Sequence, residues 1–211
     1  MSQTLDQLRD KLYQGDADAV AKLTQQALDE DLTPGEILNN GLVAGMSRVG
    51  KDFREGELFV PEVLIAARAM HAGMDILRPL LVESEVPSAG RVVIGTVTGD
   101  LHDIGKNLVG MMLEGGGFEV IDLGTDTTPE AFVETIKAES ADLIGMSALL
   151  TTTMPAMKQT IDALTEAGVR DRVKVMIGGA PVTQAFADEI GADGYAPDAA
   201  SAVDLARSLV S

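Results

Sequence analysis

The chain has 211 residues, no cysteine and a formal net charge of −17. Such acidity repels nucleic acid and anionic membrane, and without cysteine this chain alone holds no disulfide, thiolate zinc site or Fe–S cluster. An apolar fraction of 45% with 23% charged residues is that of an ordinary globular protein, and 3% aromatics leaves little for base stacking. No apolar run is long enough to span a bilayer, and Met1-Ser2-Gln3-Thr4-Leu5-Asp6 lacks the basic and then apolar segments of a signal peptide, so a cytoplasmic location is expected. Ten methionines fill core gaps or give a pliable apolar surface to a large ligand.

From Thr4 to about Glu83 the pattern is helical. Leu5, Leu8 and Leu12 repeat at helical spacing, and Gly15-Asp16 ends that helix and caps the next, which carries Val20, Leu23, Ala27 and Leu28 on one face. Thr33-Pro34-Gly35-Glu36 is a helix start with a capping box. The third helix runs through Ile37, Leu38, Leu42, Val43, Met46 and Val49 to about Phe53; after the turn Arg54-Glu55-Gly56-Glu57 a fourth runs from Val60-Pro61 to about Leu81. Four helices with short connections predict a small antiparallel bundle.

Residues 83–90 have linker composition, and after them the period changes. Val92–Val97, Phe118–Leu123, Leu143–Met146 and Val173–Ile177 are short apolar runs, with a weaker fifth at Gly194-Tyr195-Ala196. Helical stretches at about 104–115, 129–139, 155–167, 181–190 and 199–210 separate or follow them. Alternating β and α with continuously apolar strands means a parallel sheet covered on both faces, here a flavodoxin-like doubly wound α/β domain of five strands. The expected division is a helical domain over 1–88 and the α/β domain over 89–211.

In such a sheet the carboxyl ends of the strands converge on one rim. They bring together Thr98 to Asn107, Ser147 to Thr153, Gly178-Gly179-Ala180-Pro181 and Tyr195-Ala196-Pro197-Asp198-Ala199. The first loop carries His102, two residues after Asp100 and next to Asp103, as a metal ligand with its orienting carboxylate would stand. Gly95-Thr96-Val97-Thr98-Gly99 lacks the GxGxxG spacing of a dinucleotide site, and no phosphate loop is present. Flavin stays open on fold grounds, although the rim offers little aromatic stacking. A single imidazole suits a metal whose other positions are already filled, as in a macrocycle with one axial histidine.

Asp100-x-His102-x-x-Gly105, then Ser147-x-Leu149, then Gly178-Gly179, each at a strand end, resemble the DxHxxG, SxL and GG signature of B12-binding domains. Val49-Gly50-x-x-Phe53-x-x-Gly56-Glu57-Leu58-Phe59-Val60-Pro61-Glu62 resembles the helical cap that precedes the B12 module in methyl-transferring proteins, including cobalamin-dependent methionine synthase. The resemblance thus covers nearly the whole chain. It is nearest to the stand-alone corrinoid proteins of anaerobic methyltransferase systems.

The resemblance implies a cobalamin or related corrinoid cofactor, with His102 coordinating cobalt from below in place of the cofactor's own base. Asp100 then accepts a hydrogen bond from the other imidazole nitrogen, and Thr153 supplies the hydroxyl that continues the relay; capping of the helix before Pro155 is the plain reading, and the two are compatible. Leu101, Asp103, Ile104 and Gly105 meet the corrin edge, Ser147, Leu149, Thr151, Gly178 and Gly179 line the slot for the nucleotide tail, and Tyr195 and Ala199 complete the rim. Lys106 and Asn107 either bond corrin amides or begin a solvated helix. In the cap, which covers the upper face in this family, Glu55 touches the corrin; Phe59, Met70 and Met74 shield the methyl group or pack in the bundle, and His71 is structural or solvent-facing.

The implied function is that of a non-catalytic methyl-group carrier cycling between Co(I) and methyl-Co(III) forms. A donor-specific methyltransferase, an acceptor methyltransferase and a reductive activase are the implied partners, and the linker flexes to let them in. A B12-dependent sensor and the small subunit of an adenosylcobalamin mutase are the alternatives.

Overall fold

A computed structural model describes residues 2–83 and 88–210, apart from the side chains of 82 and 83. Residues 84–87 of the expected linker lie outside the described residues. The chain forms two compact units, one reaching to Ser88 and including Glu114–Gly117, the other made of Ala89–Leu113 and the residues from Phe118 onward.

The first unit contains α1 (Gln3–Tyr13), α2 (Ala17–Asp29), α3 (Pro34–Ile37), α4 (Ala44–Arg54) and α5 (Val60–Glu83). Asp16 caps α2 by accepting the Ala19 amide at 3.1 Å, and Thr33 and Glu36 form both halves of the capping box that opens α3. Between α3 and α4 the helix continues through Leu38–Val43 in π winding. The cause is in the burial pattern. Ile37, Leu38, Gly41, Leu42, Gly45, Met46, Val49 and Gly50 are buried, a repeat of four residues. An α-helix repeats every ~3.6 residues and would rotate this face away; one π turn absorbs the difference. Leu8 and Leu12 of α1, both fully buried, pack against this face at Gly41 and Gly45. A Cβ at Gly41 would come within 2.6 Å of Leu8 Cδ2, so glycine sets the close approach of the two helices.

The second unit alternates strands and helices: β1 (Arg91–Thr96), α6 (Ile104–Gly115), β2 (Glu119–Asp122), α7 (Pro129–Glu139), β3 (Leu143–Ser147), α8 (Pro155–Glu166), β4 (Lys174–Gly178), α9 (Gln184–Ile190), β5 (Gly194–Tyr195) and α10 (Ala199–Val210). The strands form one parallel sheet in the order β2-β1-β3-β4-β5. Val93, Ile144, Val175 and Ile177 of its central strands are buried with Phe132 and Ile136 of α7 and Met157, Ile161 and Leu164 of α8. α9 begins three residues later than its apolar pattern suggests, because Thr183 caps it by accepting the Phe186 amide and Gly179–Val182 form a turn.

Register places the chemistry. Thr96 pairs with Ser147 and Ser147 with Gly178, so β1, β3 and β4 end level with one another. The chain order reverses between β1 and β3, the point at whose carboxyl edge open α/β sheets bind ligands.

Candidate cofactor site

The loop after β1 is held by hydrogen bonds from three directions. Within the loop, the Thr96 hydroxyl, fully buried at the end of β1, donates to the His102 carbonyl at 2.8 Å. From the loop after β2, the Asp126 amide donates to the Asp100 carbonyl at 3.0 Å and Asp126 Oδ1 accepts the Gly99 amide at 2.7 Å. From the loop after β3, the amides of Leu149 and Leu150 donate to Asp100 Oδ2 at 2.7 and 3.3 Å, and the Thr153 hydroxyl does so at 2.7 Å.

Asp100 is therefore the junction. Its Oδ1 accepts the His102 amide at 3.1 Å and lies 2.7 Å from His102 Nδ1. Burial pushes its carboxyl up, but the bonds from Thr153, Leu149 and His102 outweigh that and hold it well below the usual carboxylate range. Beside a permanent carboxylate, a neutral imidazole carries its proton on Nδ1 and keeps the Nε2 lone pair. The His102 side chain is 51% exposed, whereas Asp100 is fully buried. Among the described residues Nε2 has no hydrogen-bond partner.

Several large apolar side chains are exposed at the same edge of the sheet. Leu101 is 74% exposed, Leu149 42% and Leu150 43% on the loops that follow β1 and β3, and Ile104, at the start of α6, is 78% exposed. Grouped large apolar side chains at a rim mark a surface made to be covered. Asp103 is exposed and takes the Asn107 side-chain amide at 3.2 Å. Gly105 has no atom within 4 Å of where a Cβ would stand, so the first turn of α6 opens on free space.

The remaining expected residues divide. Ser147 is half-buried at the end of β3 and Thr151 is exposed beyond it, and neither hydroxyl has a partner among the described residues. Gly178 and Gly179 lie at the end of β4, with Gly179 at a φ of +127° and its Cβ position 1.9 Å from the Ala148 carbonyl oxygen. The second glycine is thus required by the packing of two loops. Tyr195 is half-buried and packs against the sheet core, and Ala199 is buried at the start of α10. Glu55 lies in the helical unit at the end of α4, exposed and 3.9 Å from Lys51.

Two expectations are corrected. Lys106 does not begin a solvated helix: it is 4% exposed, and its Nζ bonds Asp122 and Asn107, tying α6 to the end of β2. Thr153 does not cap α8, which has no side-chain cap; its hydroxyl turns to Asp100 and the Leu150 carbonyl. His71, expected to be structural or solvent-facing, is partly exposed and bonds Glu114 Oε2 at 2.6 Å, and this bond raises its pKa. Sequence reasoning also passed over Thr96 and Asp126, whose only signals are a hydroxyl at a strand end and an acidic residue in a turn.

Family patterns described as B12 binding domains match residues 90–204 and residues 4–78. The chain is 48% identical over 209 residues to a corrinoid protein of Desulfitobacterium hafniense, covering 98% of this chain and 97% of that one. It is 51% identical over 194 residues to a dimethylamine corrinoid protein of Methanosarcina acetivorans, covering 92% and 91%. Among solved structures, a cobalamin-binding protein from Desulfitobacterium hafniense superposes with a TM-score of 0.81 at 32% identity over 98% of each chain. A chain of the methanol:cobalamin methyltransferase complex from Methanosarcina barkeri does so with a TM-score of 0.87 at 30% identity, over 99% of this chain and 80% of that one. A parallel α/β sheet with a histidine loop at its rim, preceded by a helical unit, defines a cobalamin-binding module. The chain belongs to the B12-binding corrinoid proteins of methyltransferase systems, and its cofactor is a corrinoid.

Proposed function

We propose that this chain is a methyl-group carrier, binding its corrinoid with the cofactor's base displaced and His102 as the lower axial ligand. The observation that carries this reading is the Asp100–His102 pair, which leaves one exposed imidazole nitrogen free on an apolar rim. The donor set fits the group. Among the described residues no cluster of three metal-ligating side chains exists, so one imidazole serves a metal whose other positions are filled by a macrocycle. The open space at Gly105 and the unpartnered hydroxyls of Ser147 and Thr151 fit a bulky ligand with a polar tail.

When bound, the corrinoid supplies a cobalt centre that takes up and gives up a methyl group. His102 Nε2 would hold that centre, with Asp100 bonded to Nδ1 and Thr153 with the Leu149 and Leu150 amides bonded to Asp100. Leu101, Asp103, Ile104 and Gly105 support the ring edge; Ser147, Leu149, Thr151, Gly178, Gly179, Tyr195 and Ala199 take the tail. Residues 1–88 act as the cap domain, with Glu55 toward the corrin, and 89–211 as the cofactor domain. The chain itself carries no catalytic residue. A donor-specific methyltransferase loads it, an acceptor methyltransferase unloads it and a reductive activase restores it, all in the cytoplasm; among the described residues no helix is long and apolar enough to cross a membrane. Likeness to dimethylamine corrinoid proteins makes methylated amines the first donors to test. The full chain, reconstituted with hydroxocobalamin and reduced, should become methylated when supplied with dimethylamine and a dimethylamine methyltransferase. Retention of only an adenosylated cofactor, with no methylation by any of a panel of methylated amines, alcohols and thiols with their methyltransferases, would overturn the carrier reading.

Two glycines separate ligand from fold. Gly179→Ala drives a Cβ into the Ala148 carbonyl at a left-handed φ, and should cost about 3 kcal/mol in denaturant unfolding of the unloaded protein. Gly105→Ala meets no atom and should change that stability by less than about 0.5 kcal/mol, while weakening corrinoid binding measured by equilibrium dialysis.

A further inference from the structure

The loop between β2 and α7 holds two left-handed residues, Gly124 at a φ of +82° and Asp126 at +52°. Glycine adopts this conformation without steric cost, whereas a residue with a Cβ does not. At Gly124 the chain uses the unstrained residue; at Asp126 it uses a strained one. Asp126 is exposed and forms no ion pair among the described residues, so neither packing nor charge pairing accounts for the choice. What the side chain adds is Oδ1, which accepts the Gly99 amide at 2.7 Å. The Asp126 amide in turn donates to the Asp100 carbonyl at 3.0 Å. The pair is reciprocal and grips two consecutive residues just before His102. Three further bonds join the end of β1 and its loop to this loop: the Thr98 hydroxyl to the Thr127 carbonyl, the Thr127 amide to the Thr96 carbonyl and the Thr96 amide to the Gly124 carbonyl, each at 2.9 Å.

We infer that Asp126 is a positioning residue for the axial histidine: through the Gly99 amide and the Asp100 carbonyl it fixes the backbone from which the imidazole projects. Asp100 is held through its carboxylate by the loop after β3 and through its backbone by the loop after β2. The two tethers pull from opposite neighbours of β1, because β2 and β3 flank it in the sheet. Cutting one leaves Asp100 ionised and bonded but lets Gly99 rotate, and the imidazole then samples directions away from the metal.

The inference rests on the assignment of His102 as lower ligand, and the test separates the two. Asp126→Gly removes the carboxylate and relieves the strained φ, so the chain folds; Asp126→Asn keeps an acceptor oxygen and a residue tolerant of that φ. In the unloaded full-length protein, Asp126→Gly should speed amide exchange at Gly99 and His102 about tenfold, the loss of one charge-assisted hydrogen bond, with global unfolding unmoved. In the cobalamin-loaded protein reduced to cobalt(II), the ratio of histidine-bound to unbound cobalt, read from nitrogen splitting in electron paramagnetic resonance, should fall about tenfold. Asp126→Asn should restore both readouts to within about twofold. Wild-type protein showing the nitrogen splitting and Asp126→Gly showing the same ratio would overturn the positioning role alone. Wild-type protein without that splitting would overturn it together with the axial assignment.

Discussion

Replacing His102 with glycine should change the visible spectrum of the cobalamin-loaded protein from histidine-ligated to base-off or water-ligated, while the chain stays folded. The side chain is half exposed and its described hydrogen-bond partner is Asp100, which keeps its bonds to the His102, Leu149 and Leu150 amides and to Thr153. Loss of one hydrogen bond and the added freedom of glycine cost about 1–2 kcal/mol of a domain stability of roughly 5–15. Corrinoid affinity should fall further. Removing even an outer-shell partner of a metal ligand costs about 10–100-fold, and here the ligand itself is lost. An unchanged spectrum would sink the axial assignment.

Asp100→Ala should damage the fold and the site together. Five donors converge on this fully buried carboxylate, and alanine leaves the Leu149 and Leu150 amides without an acceptor. At about 1–3 kcal/mol for each orphaned donor, the loss should reach about 3–4 kcal/mol in denaturant unfolding. Thr153 is cushioned, because its hydroxyl already lies 2.9 Å from the Leu150 carbonyl. Asp100→Asn fares little better, since an amide presents two hydrogens where donors already point. The depressed pKa gives the pH dependence a definite sign. A carboxyl whose folded pKa lies below its unfolded value of about 3.9 contributes its full stability above that pH and loses it as pH falls toward the folded value. Wild-type stability should therefore drop more steeply below about pH 4 than that of Asp100→Asn. Parallel acid profiles would show that Asp100 is not held ionised by its neighbours.

The alternation of helical and strand periods, the caps at Asp16 and Thr33, and the ends of four strands were legible from local pattern alone. So was the Asp100–His102–Thr153 chain, because resemblance to a known signature names those positions. What stayed hidden depends on neighbours distant in sequence. Lys106 resembles any helix-start lysine until β2 places Asp122 beside it. Asp126 resembles any turn aspartate until β2 lies next to β1. The four-residue repeat from Ile37 to Gly50 was visible as apolar residues, but its departure from the α-helical period shows only when burial of the glycines is counted with them.

The sheet's two outermost strands are also its shortest: β2 has four residues, with Glu119 and Asp122 at its ends, and β5 has two. An exposed strand edge recruits other chains by backbone pairing, which is sequence-blind and slow to reverse. Short edges, one of them flanked by acidic residues, deny an added strand the row of amides and carbonyls it needs. Encounters with other proteins are left to side chains, and at high concentration the molecule is guarded against edge-to-edge aggregation by the brevity of its own margins.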